Sequence, residues 1–379
     1  MKNIWFDRYY EKQQKPLFKK GKVFVMTGPR RVGKTELIKR MMDGFTKRTY
    51  TGTGDDMFLR ELLSAQILQN ITSFFGDYDL IFIDEAQRIP DAGYGLKLLV
   101  DHAPGKTIIV TGSSSFELSN KMGEPLTGRQ TVRKLYPLSV MELTRQSGKL
   151  KVHQMLEELM IYGSYPEVLK AEGRNEKADY LFSIRDAYLL KDILELEHVK
   201  YSIKLFDLLK LLAFQIGHEV SLNELANKLG IAKQSIERYL DLLEKAFIIK
   251  RVGGFSRNLR NEITKTARYY FIDNGIRNAV INNFNNLDSR NDTGMLWENF
   301  LFVERLKKQE YQRLFSNNYF WRTYNKKEID FVEERNGKLY GYEFKYNKAI
   351  MNPPKLWKEA YPESEFMCIT KENYMDFLT

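Results

Sequence analysis

At 379 residues, with 43% hydrophobic and 28% charged side chains, the chain reads as globular throughout and too long for one core, so two or three domains are expected. Its 59 Lys and Arg against 49 Asp and Glu leave a net charge of +10, a balance that favours an anionic partner such as nucleic acid. The single Cys368 and four scattered histidines exclude an intrachain disulfide and a cysteine or histidine metal cluster, leaving Mg²⁺ held by carboxylates and phosphates as the metal chemistry to consider.

Residues 1 to 20 are polar and aromatic and carry no apolar signal core, and no run of about 18 apolar residues follows, so neither a secretory signal nor a membrane span is expected and a cytoplasmic location is. Trp5, Arg8 and Tyr9 in this stretch read as a docking segment, with contact to a nucleotide base as the alternative. From Val23 to Lys39 the chain reads as strand, glycine loop and helix. Inside it Gly28-Pro29-Arg30-Arg31-Val32-Gly33-Lys34-Thr35 fits the G-x-x-x-x-G-K-[ST] phosphate loop without a gap. Glycines let the backbone wrap a phosphate chain, and the loop amides with the helix start at Glu36 present partial positive charge to it. Lys34 is expected on the β- and γ-phosphates of ATP and the Thr35 hydroxyl on Mg²⁺.

Leu80-Ile-Phe-Ile-Asp84-Glu85 reads as a buried strand ending in two carboxylates, the Walker B pattern. Asp84 is expected in the Mg²⁺ shell and Glu85 as the group that polarises the attacking water. A third strand, Lys106 to Thr111, ends in Gly112-Ser113-Ser114-Ser115; Ser113, rather than Thr111, is expected to sense the γ-phosphate, while one of the serines caps the helix that follows.

Together GPRRVGKT, LIFIDEAQRIPD, VTGSSSFEL, LTGR and LYPLSVMEL closely resemble the bacterial and archaeal AAA-type ATPases, AAA+ and STAND-like, that join a P-loop module, a winged helix and a C-terminal nuclease-like domain of unknown function. The resemblance implies an α/β fold: a parallel P-loop sheet over 1–138, a helical lid over 139–200, a winged helix-turn-helix over 201–280 and a small α/β PD-(D/E)xK domain over 290–379. It also implies that Arg129, just ahead of the last core strand, stabilises transition-state charge, in cis or across a subunit boundary of a homo-oligomer; a solvated surface arginine is the alternative. Gly163-Ser-Tyr-Pro166 is similar to the turn whose proline packs on adenine in such ATPases; read from the residues alone, it is a helix stop followed by an ordinary proline.

Beyond Ser202 the pattern turns helical. Ser221 and Glu224 form a capping box for a short helix stopped at Gly230, a three-residue turn follows, and then a longer helix. Lys233, Gln234 and Arg238 on that helix, with Arg257, Arg260 and Lys265 between two wing strands, are the expected DNA contacts; a solvated face or a protein-binding lid is the bland alternative. The Asn-rich run NNFNNLDSRND reads as a linker or exposed loop. A helix from Gly294 through Leu306 carries Glu298. Two strands joined at Asn336-Gly337 place Asp330 on one and Glu343 with Lys345 on one face of the other. This quartet resembles the PD-(D/E)xK nuclease core and implies a Mg²⁺ site on Glu298, Asp330 and Glu343 beside Lys345; a cross-strand salt bridge is the structural alternative. The expectation is an ATP-hydrolysing, DNA-associated protein, and its rival is a STAND-type nucleotide switch whose C-terminal domains bind protein.

Overall fold

A computed structural model describes residues 5–113, 125–186, 202–256, 267–323, 327–347 and 351–379. The chain divides into two compact units, one formed by Asp7–Pro137 with Lys245–Phe247 and the other by Met1–Phe6, Leu138–Glu244 and Ile248–Thr379.

The Asp7–Pro137 unit is built on five strands: β1 Val23–Thr27, β2 Thr49–Thr53, β3 Leu80–Asp84, β4 Thr107–Thr111 and β5 Gln130–Lys134. They lie in the order β2-β3-β4-β1-β5 and every pair is parallel. The apolar runs VFVMT and TIIVT are buried at all five positions because they hold the sheet's interior, whereas the polar β2 and β5 form its half-buried edges. Alternation assigns the faces: Val23, Val25, Ile81, Ile83, Ile108 and Val110 join one apolar cluster with helices Met57–Ser64, Leu68–Phe75 and Ala92–His102. Because all strands run the same way, the ends of β1, β3 and β4 open on one edge, where ligands of open parallel sheets bind.

The other unit begins with helices Val140–Ser147, Lys149–Gln154, Leu156–Tyr162, Pro166–Lys170 and Arg174–Ile184. Ser139 and Glu142 close the first with a reciprocal capping box. Helices Leu222–Leu229 and Lys233–Lys245 follow, separated by residues 230–232, with Ser221 accepting from the Glu224 amide and Gly230 ending the first helix at φ 64°. Strands β6 Glu219–Val220, β7 Ile249–Gly254 and β8 Ala267–Phe271 pair antiparallel.

The expected separation between residues 280 and 290 takes a different form. β7 pairs in parallel with β9 (Asn317–Arg322) at Gly253–Tyr319 and Gly254–Phe320. Through β9 it continues into β10 (Glu328–Arg335), β11 (Lys338–Phe344) and β12 (Glu365–Ile369), a seven-stranded sheet in the order β12-β11-β10-β9-β7-β8-β6. The free edge of β7 carries amides that need partners, and β9 supplies them. The Asn-rich run is a largely exposed loop, as its composition signals, but it is anchored at its end. Arg290 is wholly buried in side chain and bonds both oxygens of Asp292, which also accepts from buried Arg277 at 2.5 Å. Those guanidinium bonds overcome the penalty of burial and hold the Asp292 pKa down at about 2. The expected C-terminal helix runs longer than its pattern, Thr293–Gln312, and the Asn336-Gly337 turn joins β10 to β11 with φ 51° and 76°.

Candidate functional site: a phosphate loop and a second acidic cluster

The loop after β1 is shaped by close packing. Gly28 has φ 145°, and a Cβ there would stand 2.0 Å from the Leu135 carbonyl oxygen, so no other residue fits. Arg8 braces the loop from outside: 5% exposed, it donates to the Val32 carbonyl at 2.8 Å and the Tyr136 carbonyl at 2.6 Å. Arg8 is thus a backbone clamp, in line with a docking role for its segment. Pro29 and Val32 are buried, Arg30 is half-buried, and Arg31 and Glu36 are exposed; Gly33, at φ 91°, leads into helix Lys34–Met42.

Lys34, 6% exposed, folds its ammonium onto the Gly28 and Pro29 carbonyls, 2.8 Å from each. Burial lowers its pKa to about 8 against the opposing pull of Glu85 and Asp84. The Thr35 hydroxyl donates to Asp84 Oδ2 at 2.8 Å, while Asp84 Oδ1 accepts from the Thr111 hydroxyl and from the Glu85 amide at 3.1 Å. Thr35 and Asp84 are hard oxygen donors already side by side, which is what a Mg²⁺ ion on a phosphate chain needs, and they fit it. Glu85 follows in a left-handed conformation, φ 50°, uncommon outside glycine and a feature of strained functional sites. Gly54 makes that turn feasible: its amide donates to the Asp84 carbonyl at 2.7 Å, and a Cβ would meet the Glu85 carbonyl oxygen at 2.2 Å.

Ser113 is 2% exposed and accepts from Gln87 Nε2 at 3.1 Å; the same nitrogen donates to Glu85 Oε2. Thr111 rather than Ser113 therefore touches the Walker B aspartate, and Ser113 reaches Glu85 through Gln87. Gln87 and Gly54 were not singled out in the sequence; the third and fourth letters of DEAQ carry the only signal for Gln87. Arg129 Nε donates to Asp101 Oδ1 at 2.5 Å and keeps 38% of its side chain exposed.

In the other unit Pro166 opens helix Pro166–Lys170, just past the Gly163 turn. The Ser164 amide donates to Asp273 Oδ2 at 2.8 Å and buried Lys307 donates to Ser164 Oγ at 3.0 Å, so the turn is pinned by long-range bonds and is more than a plain helix stop. Lys233, Gln234 and Arg238 are exposed on their helix, Lys233 standing 3.9 Å from Glu237. Arg257, Arg260 and Lys265 lie outside the described residues.

Glu298, Asp330, Glu343 and Lys345 do converge. Lys345 Nζ is 2.8 Å from Glu343 Oε1, and the Phe344 amide donates to Asp330 Oδ2 at 2.8 Å. Burial, then the charge of Asp330, pushes Glu298 up to about 8, and the same two causes raise Glu343; burial raises Asp330. The sequence reading missed the cation at the centre. Arg268 of β8, 3% exposed and stacked 4.5 Å from the Phe320 ring, places Nη1 3.5 Å from Glu298 and 3.9 Å from Asp330, and Nη2 2.8 Å from Glu328. Tyr270 OH donates to Glu298 at 2.7 Å. Among the described residues no three His, Cys, Asp or Glu side chains are gathered so as to hold a metal ion. The expected divalent ion on this quartet does not fit, because a fixed guanidinium occupies its electrostatic role.

Residues 20–144 match a family model described as an AAA domain. Residues 153–287 and 293–368 match two models described as domains of unknown function, DUF8612 and DUF4143. An uncharacterized protein of Mycobacterium tuberculosis is 26% identical over 329 residues, covering 85% of this chain and 70% of that one. A RuvB mutant from Thermotoga maritima is similar at 16% identity and TM-score 0.31, covering 65% of this chain and 90% of that one. A STAND protein with a tetratricopeptide repeat sensor from Pyrococcus horikoshii is similar at 14% identity and TM-score 0.30, covering 81% and 46%. No described helix is long and apolar enough to cross a membrane. The phosphate loop and the Walker B strand both lie in the stretch that matches an AAA domain, on a five-stranded parallel sheet that resembles those of P-loop NTPases.

Proposed function

We propose that this chain hydrolyses ATP and uses the nucleotide state to act on DNA through the helix-turn-helix of its second unit. The observation that carries the reading is the contact of the Thr35 hydroxyl with Asp84 at 2.8 Å, one residue ahead of a Glu85 held in a strained backbone turn. Lys34 would turn from the loop carbonyls to the phosphate oxygens, and the nearby negative charge would restore the proton affinity that burial takes away. Mg²⁺ bound by Thr35 and Asp84 would supply charge neutralisation at the β- and γ-phosphates. Glu85 would accept the proton of the attacking water, Arg129 would release Asp101 to reach the phosphate of a neighbouring subunit, and Pro166 would pack on adenine. Lys233, Gln234 and Arg238 would meet DNA phosphates or base edges, with Arg257, Arg260 and Lys265 as the wing's contribution.

A second reading is favoured by one observation. Arg268 places its guanidinium 3.5 Å from Glu298 and 3.9 Å from Asp330, where a metal ion would sit, so the nuclease-like quartet supports a structural sheet in a STAND-type switch that binds protein, and no cleavage step follows from it. Duplex DNA binding measured against salt separates the two. Lys233→Ala with Arg238→Ala should flatten the slope of log affinity on log salt by up to about 2, one unit per lost phosphate contact. An unchanged slope, or no DNA binding by the unaltered chain, would favour the switch.

A further inference from the structure

One side chain at the Walker B turn is only half bonded. Gln87 lies in the short 3₁₀ turn Ala86–Arg88 just after β3. Its amide nitrogen donates to Glu85 Oε2 and to Ser113 Oγ. A carboxylate only accepts, so the nitrogen has to face Glu85 and the amide oxygen has to face away from it. That oxygen, Oε1, is shielded from solvent and has no hydrogen-bond partner among the described residues. Buried amide oxygens are nearly always paired, and one left over beside a functional carboxylate calls for a donor brought by a ligand.

The neighbouring groups narrow the donor. Lys34 spends its ammonium on the loop carbonyls, and the Thr35 and Thr111 hydroxyls are spent on Asp84. A phosphate oxygen accepts and would be repelled by both Oε1 and Glu85. A water molecule, with two O–H donors, can satisfy a carboxylate with one and an amide oxygen with the other.

We propose that Gln87 is a catalytic residue of ATP hydrolysis, its Oε1 orienting the attacking water while its Nε2 holds Glu85 against Ser113. The inference rests on the ATPase reading above. In the step itself the water oxygen bonds to the γ-phosphorus and the bond to the β,γ-bridging oxygen breaks, its electron pair leaving with ADP. The proton of the water passes to Glu85, and Gln87 keeps its own protons throughout. The contribution lies in aim: one planar amide fixes the base and the nucleophile relative to each other, so that the second O–H of the water points away from the carboxylate.

The test compares two ADP complexes in the full chain. Aluminium fluoride with ADP mimics the transferring phosphoryl group together with its axial nucleophile, whereas beryllium fluoride with ADP mimics bound ATP alone; tighter binding of the former reports transition-state contacts. Gln87→Met and Gln87→Ala should each lower kcat by about 10²-fold with KM for ATP unchanged, the range expected for an interaction made mainly in the transition state. Both should weaken the aluminium fluoride complex by a similar factor and leave the beryllium fluoride complex as tight as in the unaltered chain, which also shows that the variants are folded. Gln87→Glu keeps an acceptor but sets a carboxylate against Glu85, and should not restore kcat. Unchanged kcat, or equal weakening of both complexes, would overturn the role of Gln87 while leaving ATP hydrolysis standing. Absence of turnover in the unaltered chain would overturn both readings.

Discussion

The two acidic sites use similar carboxylates and compensate them differently. At the phosphate loop, Asp84 is held by the hydroxyls of Thr35 and Thr111 and by one backbone amide, all neutral donors. In the seven-stranded sheet, Glu298, Asp330 and Glu328 surround a guanidinium, and Glu343 has Lys345. Neutral donors orient a carboxylate and leave its charge available to an incoming cation; a buried arginine spends that charge inside the fold. Donor type, more than the count of acidic residues, separates a site prepared for a metal ion from one that has been closed.

The contrast is sharpest when single partners are removed. Arg268→Met should destabilise the second unit by about 3–5 kcal/mol at neutral pH, because it removes the guanidinium facing Asp330 and Glu328, Glu298 being mostly protonated there. Denaturant midpoints would show it, and a change near zero would mean that the cluster is already neutral without Arg268. A smaller effect concerns protons. The Glu298 pKa is raised from 4.5 to about 8, first by burial and then by Asp330. The folded state therefore holds this proton more tightly than the unfolded chain: the contribution is complete below about 4.5 and is lost as pH climbs through about 8. Across that window the midpoint of the unaltered chain should decline relative to Glu298→Gln, and parallel curves would assign Glu298 an ordinary titration. Smallest is Thr111→Val at the phosphate loop, which removes one neutral donor and should cost about 1 kcal/mol.

Much of the first unit was legible because its signals are local. Gly28, Gly33, Lys34 and Thr35 are fixed by the shape of one loop, and four apolar residues ahead of Asp84 announce a buried strand without reference to anything distant. What escaped depends on contacts across the chain. Gly54 matters because it packs against Glu85, and Arg8 because it reaches Val32 and Tyr136. The anchoring of the Asn-rich loop was hidden for a similar reason: its composition signals an exposed loop, which most of it is, but not the ion pairs by which Arg290 and Asp292 tie its end to Arg277. Arg268 was legible as a strand residue only. Its partners lie up to 62 positions away on a helix and on β10, and the pairing of β7 with β9 that joins the two halves of the sheet leaves no local trace.

The central claim is that Asp84 and Glu85 close a working ATP site, with capture of the nucleotide and activation of water assigned to different residues. Mg²⁺-dependent ATP binding and turnover measured side by side on the unaltered chain, Lys34→Ala and Glu85→Gln test it directly. The account predicts binding and turnover in the first, neither in the second, and in the third full binding with turnover reduced by about 10²–10⁴-fold. Turnover in Glu85→Gln equal to that of the unaltered chain would contradict it.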